Sequence, residues 1–514
     1  MTRTAKLLLV PILALQMLFF IFIARHRLIG RDEGFYLLAS RLVLTHQEPY
    51  VDFFFPQAPL LPCVYALWMK CTAASWASAR TFSGLLTALL GTLLYGHVCQ
   101  QTRRWLAGLV AVILFASSTL VFVWFPMVKT HSLAALLLFC AYLVASRLSA
   151  ESSRWLIAAG GLLLGLSVDT RSYLLLVTTV FVWWICYNSD TRKRLVSILW
   201  LLGGFIIGVV PCLYLFISSP SAFLFDNLGY HAIRSSAGLV GMWGEKLVVL
   251  MMLFLGRAGC NGIQDSVLLF ITLGLIFSRR RQSDIPRFAF QIGIAIAFIS
   301  FLPTPVLTEY FSLCLPFLLV AAVCVVNDLL SEMESQRECL LAAAACVAVL
   351  GIYLGASVND FGKYVVIDHG TAVQRASDED DWGLQRVIKV SHAISQIAGP
   401  GEMVASFWPG DIFETKANPL PGLENDFGLP ISEKLTPEQR AQYHILSPSE
   451  IETSFAAHVA RVVVLRDQLS APTPEDADRM RRMGDSFRSS LRVHGYTLVR
   501  AIGGISIYVY YPKV

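Results

Sequence analysis

Charge is scarce in this chain. Only 15% of its 514 residues are Asp, Glu, Lys or Arg, where a soluble protein would carry about 25%. That excludes an ordinary water-soluble globule of this length. The eleven cysteines lie mostly inside apolar runs, where they read as small hydrophobes. They form no Cys-x-x-Cys pair and none falls between Asn359 and Val514, which excludes a disulfide framework and a zinc ribbon. No His, Asp and Glu cluster at tight metal-ligand spacing occurs. The last third holds no nucleophile motif and no phosphate-binding glycine loop. No internal repeat is visible. The basic residues sit in short separate clusters under a net charge of only +5, which excludes a nucleic-acid partner.

What is present is hydrophobic sequence. Hydrophobic residues make up 55% of the chain, and the mean hydropathy is +0.59. Leu7–Ala24 is an uncharged run with no small-residue cleavage site after it, so it reads as a span rather than a signal peptide. Further candidate spans are Thr81–Cys99, Leu106–Phe125, Ser132–Ala145, Trp155–Val168, Tyr173–Tyr187, Val196–Ile217, Gly262–Phe277, Phe288–Phe301, Tyr310–Val326 and Leu340–Ser357. The expectation is an α-helical polytopic membrane protein of about 11 transmembrane helices. Ala58–Met69 and Lys246–Leu255 are too short to cross and are expected to lie at or re-enter the interface.

Loop charge orients the spans. With the N-terminus inside, Arg103/Arg104, Arg147/Arg154, Thr191–Arg194 and Ser278–Arg287 fall in alternate loops, and positive charge marks the cytoplasmic side. The next inside loop is weak, with Arg337 alone. This places Asp32, Glu33 and everything after Ser357 on the exoplasmic side. From Asn359 on, helical stretches such as "DWGLQRVIKVSHAISQIA" mix with strand-like "ARVVVLRD" and "GISIYVYYP", which predicts a soluble α/β domain. "FWPGDIFETKANPLPGLENDFGLP" reads as loop. The expected organisation is a membrane domain over 1–358, with its first exoplasmic loop at 31–79, and an exoplasmic domain over 359–514 that covers or shapes the membrane site.

The stretch "GRDEGFYLLASRLVLTHQEPYVDFFFPQAPLLP" (Gly30–Pro62) places two adjacent carboxylates after the first span. Polar residues marking the water interface are the plain explanation. The acids open an amphipathic helix, with Phe35, Leu38 and Leu42 on one side, and an aromatic, proline-rich hairpin comes after it. Such a frame holds acids at the edge of a low-dielectric site, where a carboxylate serves as a general base or holds a metal.

This segment resembles the first exoplasmic loop of the GT-C membrane glycosyltransferases, in the branch of the protein O-mannosyltransferases and the lipid A aminoarabinose transferases. The overall plan, with about eleven spans and an outer C-terminal domain, is similar too. The resemblance implies a GT-C fold and transfer of a sugar from a polyprenyl phosphate to an exoplasmic acceptor: a protein, glycolipid or polysaccharide. It implies Asp32 as the base. Glu33 would orient the acceptor or the donor phosphate, through a divalent metal held by Asp32 and Glu33 if one is used.

The leaving lipid phosphate needs cations at the exoplasmic surface. Lys129, Arg171 and Arg234 are the candidates, with Arg257 a weaker one; charges satisfied by headgroups or by a neighbouring acid, such as Asp169 for Arg171, are the alternative. Tyr36, Gln57, His131, Glu309 and Tyr310 are the candidates for substrate contact. His131 also reads as an interface histidine and Tyr310 as an interface tyrosine. Some relatives carry Lys where this chain has Gln57, which leaves the donor open. The glycine-rich "GGLLLGLSVDTR" and "LLGGFIIG" permit close helix approach. A transporter or flippase is the rival reading, but charge gathers at one face rather than at mid-bilayer. A non-catalytic scaffold leaves the exoplasmic cations unexplained. The compact loops look bacterial, so the expected location is the inner membrane.

Overall fold

The computed structural model describes residues 1–148, 153–190, 192–234, 238–277, 284–303, 305–366, 382–467, 469 and 474–512. The basic run Ser278–Ser283 and Thr191 lie outside them. The chain forms two compact units. One comprises Met1–His26, Arg80–Pro211 and Ala237–Ile367; the other comprises Arg27–Ala79, Cys212–Ser236 and Asp368–Val514. The last boundary between the units falls between Ile367 and Asp368. The first loop and the segment 212–236 belong to the same unit as the C-terminal region, a grouping that hydropathy alone does not show.

The first unit is helical and apolar. Among the described residues four helices are long and apolar enough to cross a membrane: Arg3–His26, Trp76–Thr102, Thr308–Ser331 and Gln336–Val365. The expected span Val196–Ile217 is a broken pair, Arg194–Gly208 and Val210–Ser218, interrupted beside Pro211, whose missing N–H cannot continue the ladder. Shorter apolar helices include Trp105–Ser117, Thr130–Ala145 and Gly262–Leu275. Lys246–Leu255 is not a short isolated run: it ends a helix that starts at Gly238. Large apolar side chains remain exposed, among them Val10, Leu18, Ile207, Phe270, Phe298 and Val347. Exposed apolar surface on this scale suits hydrocarbon rather than water.

Helices Arg154–Thr170 and Arg194–Gly208 pack backbone to backbone. A Cβ on Gly161 would lie 2.0 Å from the Leu201 carbonyl oxygen, and one on Gly204 would lie 1.9 Å from that of Ala158. The glycine stretches therefore serve helix packing, as small residues do where no water drives association.

The second unit contains a five-stranded sheet of order β2-β1-β3-β5-β4. Its strands are β1 (Met403–Ser406), β2 (Asn418–Pro419), β3 (Val462–Arg466), β4 (Tyr496–Ile502) and β5 (Ile505–Tyr510). β1 pairs in parallel with β2 and β3, while β5 is antiparallel to β3 and β4. The run "VVVLR" of β3 is buried throughout, as a central strand requires. Phe407, Ile451, Phe455, Leu465, Phe487 and Tyr496 share its core. Capping boxes at Thr436/Gln439 and Ser447/Glu450 start two of its helices.

The helix after the acidic pair, Glu33–Leu44, also belongs here. It buries Phe35, Tyr36, Leu37, Leu38, Ala39, Ser40 and Leu42, so it is enclosed rather than buried on one face. Arg41 explains how a charged helix residue fits there. Its guanidinium donates to the carbonyls of Ile412, Phe413, Thr415 and Ala417. Burial lowers its pKa to about 10, which still leaves it charged at neutral pH.

Gly204→Val is expected to lower the unfolding temperature of the detergent-solubilised protein, at a cost of about 1–3 kcal/mol or more from overpacking. Gly203→Val, one residue away with nothing within 4 Å of its Cβ position, is expected to leave the temperature unchanged. Thermal unfolding of the pair checks the close approach.

Candidate functional site

The two adjacent acids diverge in the second unit. Glu33 is fully buried. Its Oε1 accepts from the Gly30 N–H at 2.6 Å, and its own N–H donates to the Gly30 carbonyl at 2.9 Å. Asp32 stands at the helix N-cap position without a side-chain capping bond and is half-buried. Glu33 thus holds the turn from which Asp32 projects.

A tryptophan clamp fixes this turn. Arg466, at the end of β3, lies against the edge-to-face pair Trp382 and Trp408, 4.5 and 4.3 Å from their ring centroids. It donates through both Nε and Nη2 to Asp411. The Trp408 indole N–H donates to the Arg31 carbonyl at 2.9 Å, and the Ile29 N–H donates to the Trp382 carbonyl at 2.8 Å. Trp76 stacks on Trp408 at 5.8 Å. Gly34 is required by the close approach: a Cβ there would sit 2.7 Å from the Trp408 ring. The residues flanking the acidic pair are therefore held by a loop some 370 positions away.

Tyr36 is buried beside Phe35 and Phe55. Gln57 is half-buried, and its carbonyl accepts from the Tyr50 hydroxyl. Tyr50 has φ of 65°, and its N–H donates to the Phe53 carbonyl at 2.9 Å, which closes the hairpin. Asp226 was not anticipated. One carboxylate oxygen accepts from the Phe55 N–H at 2.8 Å, while burial raises its pKa well above the usual range. The isolated acid in "SAFLFDNLGYHAIR" was the available signal.

Arg234 lies 5.8 Å from the Phe427 ring centroid and hydrogen-bonds Tyr230. Burial pushes the Tyr230 phenol up to about 12, with Asp426 and Asp32 adding to the rise and Arg234 opposing it. Burial and the Arg234 charge take His231 down to about 4, so it is neutral at physiological pH. Asp32, Arg234 and Asp426 thus all act on Tyr230 although the four come from three segments of the chain.

The first unit holds the other candidates, again as a group. Lys129 is buried at the start of helix Thr130–Ala145 and pairs with Glu309 at 3.1 Å. It lies 5.2 Å from the Trp124 ring. His131 Nε2 is 3.9 Å from Glu309. Arg171 donates to the Thr130 hydroxyl at 2.8 Å and lies between Tyr173 and Tyr310, 5.0 and 4.7 Å from their centroids. Five residues named separately from sequence, Lys129, His131, Arg171, Glu309 and Tyr310, are brought together. Arg257 is exposed and does not join them. Among the described residues no three His, Cys, Asp or Glu side chains converge as a metal site would require, and Glu33 is engaged by Gly30.

The fold matches ArnT from Cupriavidus metallidurans end to end. Against the structure bound to undecaprenyl phosphate the TM-score is 0.63 at 13% identity, covering 100% of both chains. Against the apo structure it is 0.65 at 14% identity, covering 99% of this chain and 100% of that one. The yeast Pmt1–Pmt2 protein O-mannosyltransferase complex bound to the sugar donor aligns over 42% of this chain and 34% of that one, at TM-score 0.35 and 18% identity, too loosely to bear on the fold. No protein-family model and no curated protein sequence matches the chain. The fold is thus the one that ArnT has, in the branch that the acidic-pair segment led us to expect.

The loop beside Asp426 carries a pH-sensitive acid. Glu424 is buried and its pKa rises to about 7. A carboxyl raised on folding favours the protonated folded state. Its stabilisation is full below the unfolded value near 4.5 and is lost as pH rises to about 7. Glu424→Gln is expected to flatten the fall in unfolding temperature across that window, read by thermal unfolding at stepped pH.

Proposed function

We infer that this chain is an integral membrane glycosyltransferase that transfers a sugar from a polyprenyl-phosphate donor to an exoplasmic acceptor. The observation that carries this reading is the end-to-end fold likeness to ArnT, one of whose structures holds undecaprenyl phosphate. The membrane is the inner membrane, with the N-terminus cytoplasmic and the C-terminal domain exoplasmic, as the loop charges favour.

In this reading Asp32 is the general base. It removes the proton from the acceptor hydroxyl as the oxygen attacks the anomeric carbon. The bond from that carbon to the phosphate oxygen breaks, and the polyprenyl phosphate leaves with the electron pair. Attack opposite the leaving group inverts the anomeric centre. Glu33, bonded to Gly30, positions Asp32. Lys129 and Arg171 offset the phosphate charge; Glu309 stands against Lys129, and the buried Asp169 lies two residues before Arg171. Arg234 is a further phosphate candidate. Tyr36, Gln57, His131, Glu309 and Tyr310 contact or shape the substrates. The fold likeness gives the transporter reading no support.

Labelled-sugar transfer from a panel of polyprenyl-phosphate sugars, in membranes holding wild type or Asp32→Asn, tests this. The variant is expected to lose about 10²- to 10⁴-fold in rate, as removal of a general base does. Undiminished transfer would remove Asp32 from the role. No transfer by wild type from any donor would return the transporter reading, to be followed by a flipping assay.

Lys129→Met is expected to lower stability by about 3–5 kcal/mol, because Glu309 is left buried without its partner. Lys129→Met/Glu309→Gln is expected to regain stability but not donor affinity, read by unfolding temperature and KM for the donor. Regained affinity would make the pair purely structural.

A further inference from the structure

Two buried donors in the second unit have no acceptor. Arg31 Nε and Asn425 Nδ2 are enclosed and hydrogen-bond to nothing among the described residues. Asn425 is only 3% exposed, and its Oδ1 is already used by the Phe427 N–H at 3.0 Å. A buried donor left unmade costs about 1–3 kcal/mol, so these two, linked through Asp426, which follows Asn425 and acts on Arg31, point to a ligand that supplies acceptors.

The charges nearby decide what kind of ligand. Arg31 lies within electrostatic reach of Asp32, Asp426 and Arg466, and Tyr230 within reach of the same Asp32 and Asp426 and of Arg234. Arg466 is already matched by Asp411. Arg31 shares its surroundings with Asp32 and Asp426, and Arg234 lies 5.8 Å from the ring of Phe427, next in sequence to Asp426, so the formal charges of two guanidinium groups and two carboxylates offset one another. An anionic sugar would meet both carboxylates, and a cationic one both guanidinium groups. Hydroxyl groups suit the arrangement: their oxygens accept from Arg31 and Asn425, and their protons donate to carboxylate. The Phe427 ring, with Phe35 edge-on at 5.3 Å, adds an apolar face of the kind that sugar C–H groups pack on.

We propose that Arg31 and Asn425, with Asp426 and Phe427, seat the ring of the transferred sugar, and that this sugar is uncharged. The proposal rests on the glycosyltransferase reading and adds the substrate class. Arg31 is a binding residue here, next to the base in sequence but separate from it in role.

The test uses the full-length protein in lipid nanodiscs and four probes: citronellyl phosphate alone, and citronellyl phosphate bearing an uncharged hexose, a hexuronic acid or an aminopentose. Dissociation constants are measured for wild type, Arg31→Gln and Asn425→Ala, with unfolding temperatures to confirm folding. The hexose probe is expected to bind most tightly. Each variant is expected to weaken it about tenfold and to leave citronellyl phosphate unchanged. Tighter binding of either charged sugar, or equal weakening of the sugar-free phosphate, would overturn the proposal. Should Arg31→Gln fail to fold, Asn425→Ala alone carries the comparison. Should wild type bind no lipid phosphate, the glycosyltransferase reading fails, and saturation-transfer NMR with methyl hexopyranosides judges the seat by itself: a signal lost in Asn425→Ala sustains it, and a signal retained in that variant, or none in wild type, refutes it.

Discussion

A charge taken out of water must find an opposite charge, hydrogen bonds or a ligand, and this constraint governs where the ionisable groups of the chain lie. In the helical unit Lys129 finds Glu309, and Arg171 finds a hydroxyl and two tyrosine rings. In the other unit Arg466 finds Asp411 and two tryptophans, and Arg41 finds four backbone carbonyls. These solutions differ in what they leave over. Arg41 and Arg466 are fully engaged and serve as fasteners. Arg31 and Asn425 keep donors in reserve, and that reserve distinguishes a binding group from a structural one.

The Arg466 clamp shows how a fastener reaches function. Set against the rings of Trp382 and Trp408, it fixes the Trp408 indole, whose N–H holds the Arg31 carbonyl. Gly34 lets the ring approach the helix that Asp32 begins. Glu33 ties the turn from within. Asp32 is half-buried, while Glu33 beside it is fully enclosed. Adjacent acids acquire different surroundings because the helix start buries one and leaves the other half-exposed.

Much was legible in the sequence. The hydropathy runs mark most of the apolar helices, and "ARVVVLRD" and "GISIYVYYP" contain β3 and β5. The acidic pair and its hairpin led to the fold that ArnT shares. The enclosure of helix Glu33–Leu44 was not legible, because its amphipathic pattern reports one apolar face, while Arg41 is accommodated by carbonyls more than 370 positions away. Asp226 was missed because a single acid in an apolar stretch has no spacing signature.

The sequence by itself determined that the chain is an apolar helical protein with a soluble α/β region and an acidic pair after the first span. Hydropathy and period are local properties, set by each residue and its near neighbours. Only tertiary structure decided that Lys129, His131, Arg171, Glu309 and Tyr310 form one group, and that Asp32, Tyr230, Arg234 and Asp426 form another. Which charges meet depends on how distant segments fold together, and the burial that makes each meeting matter exists only once they have.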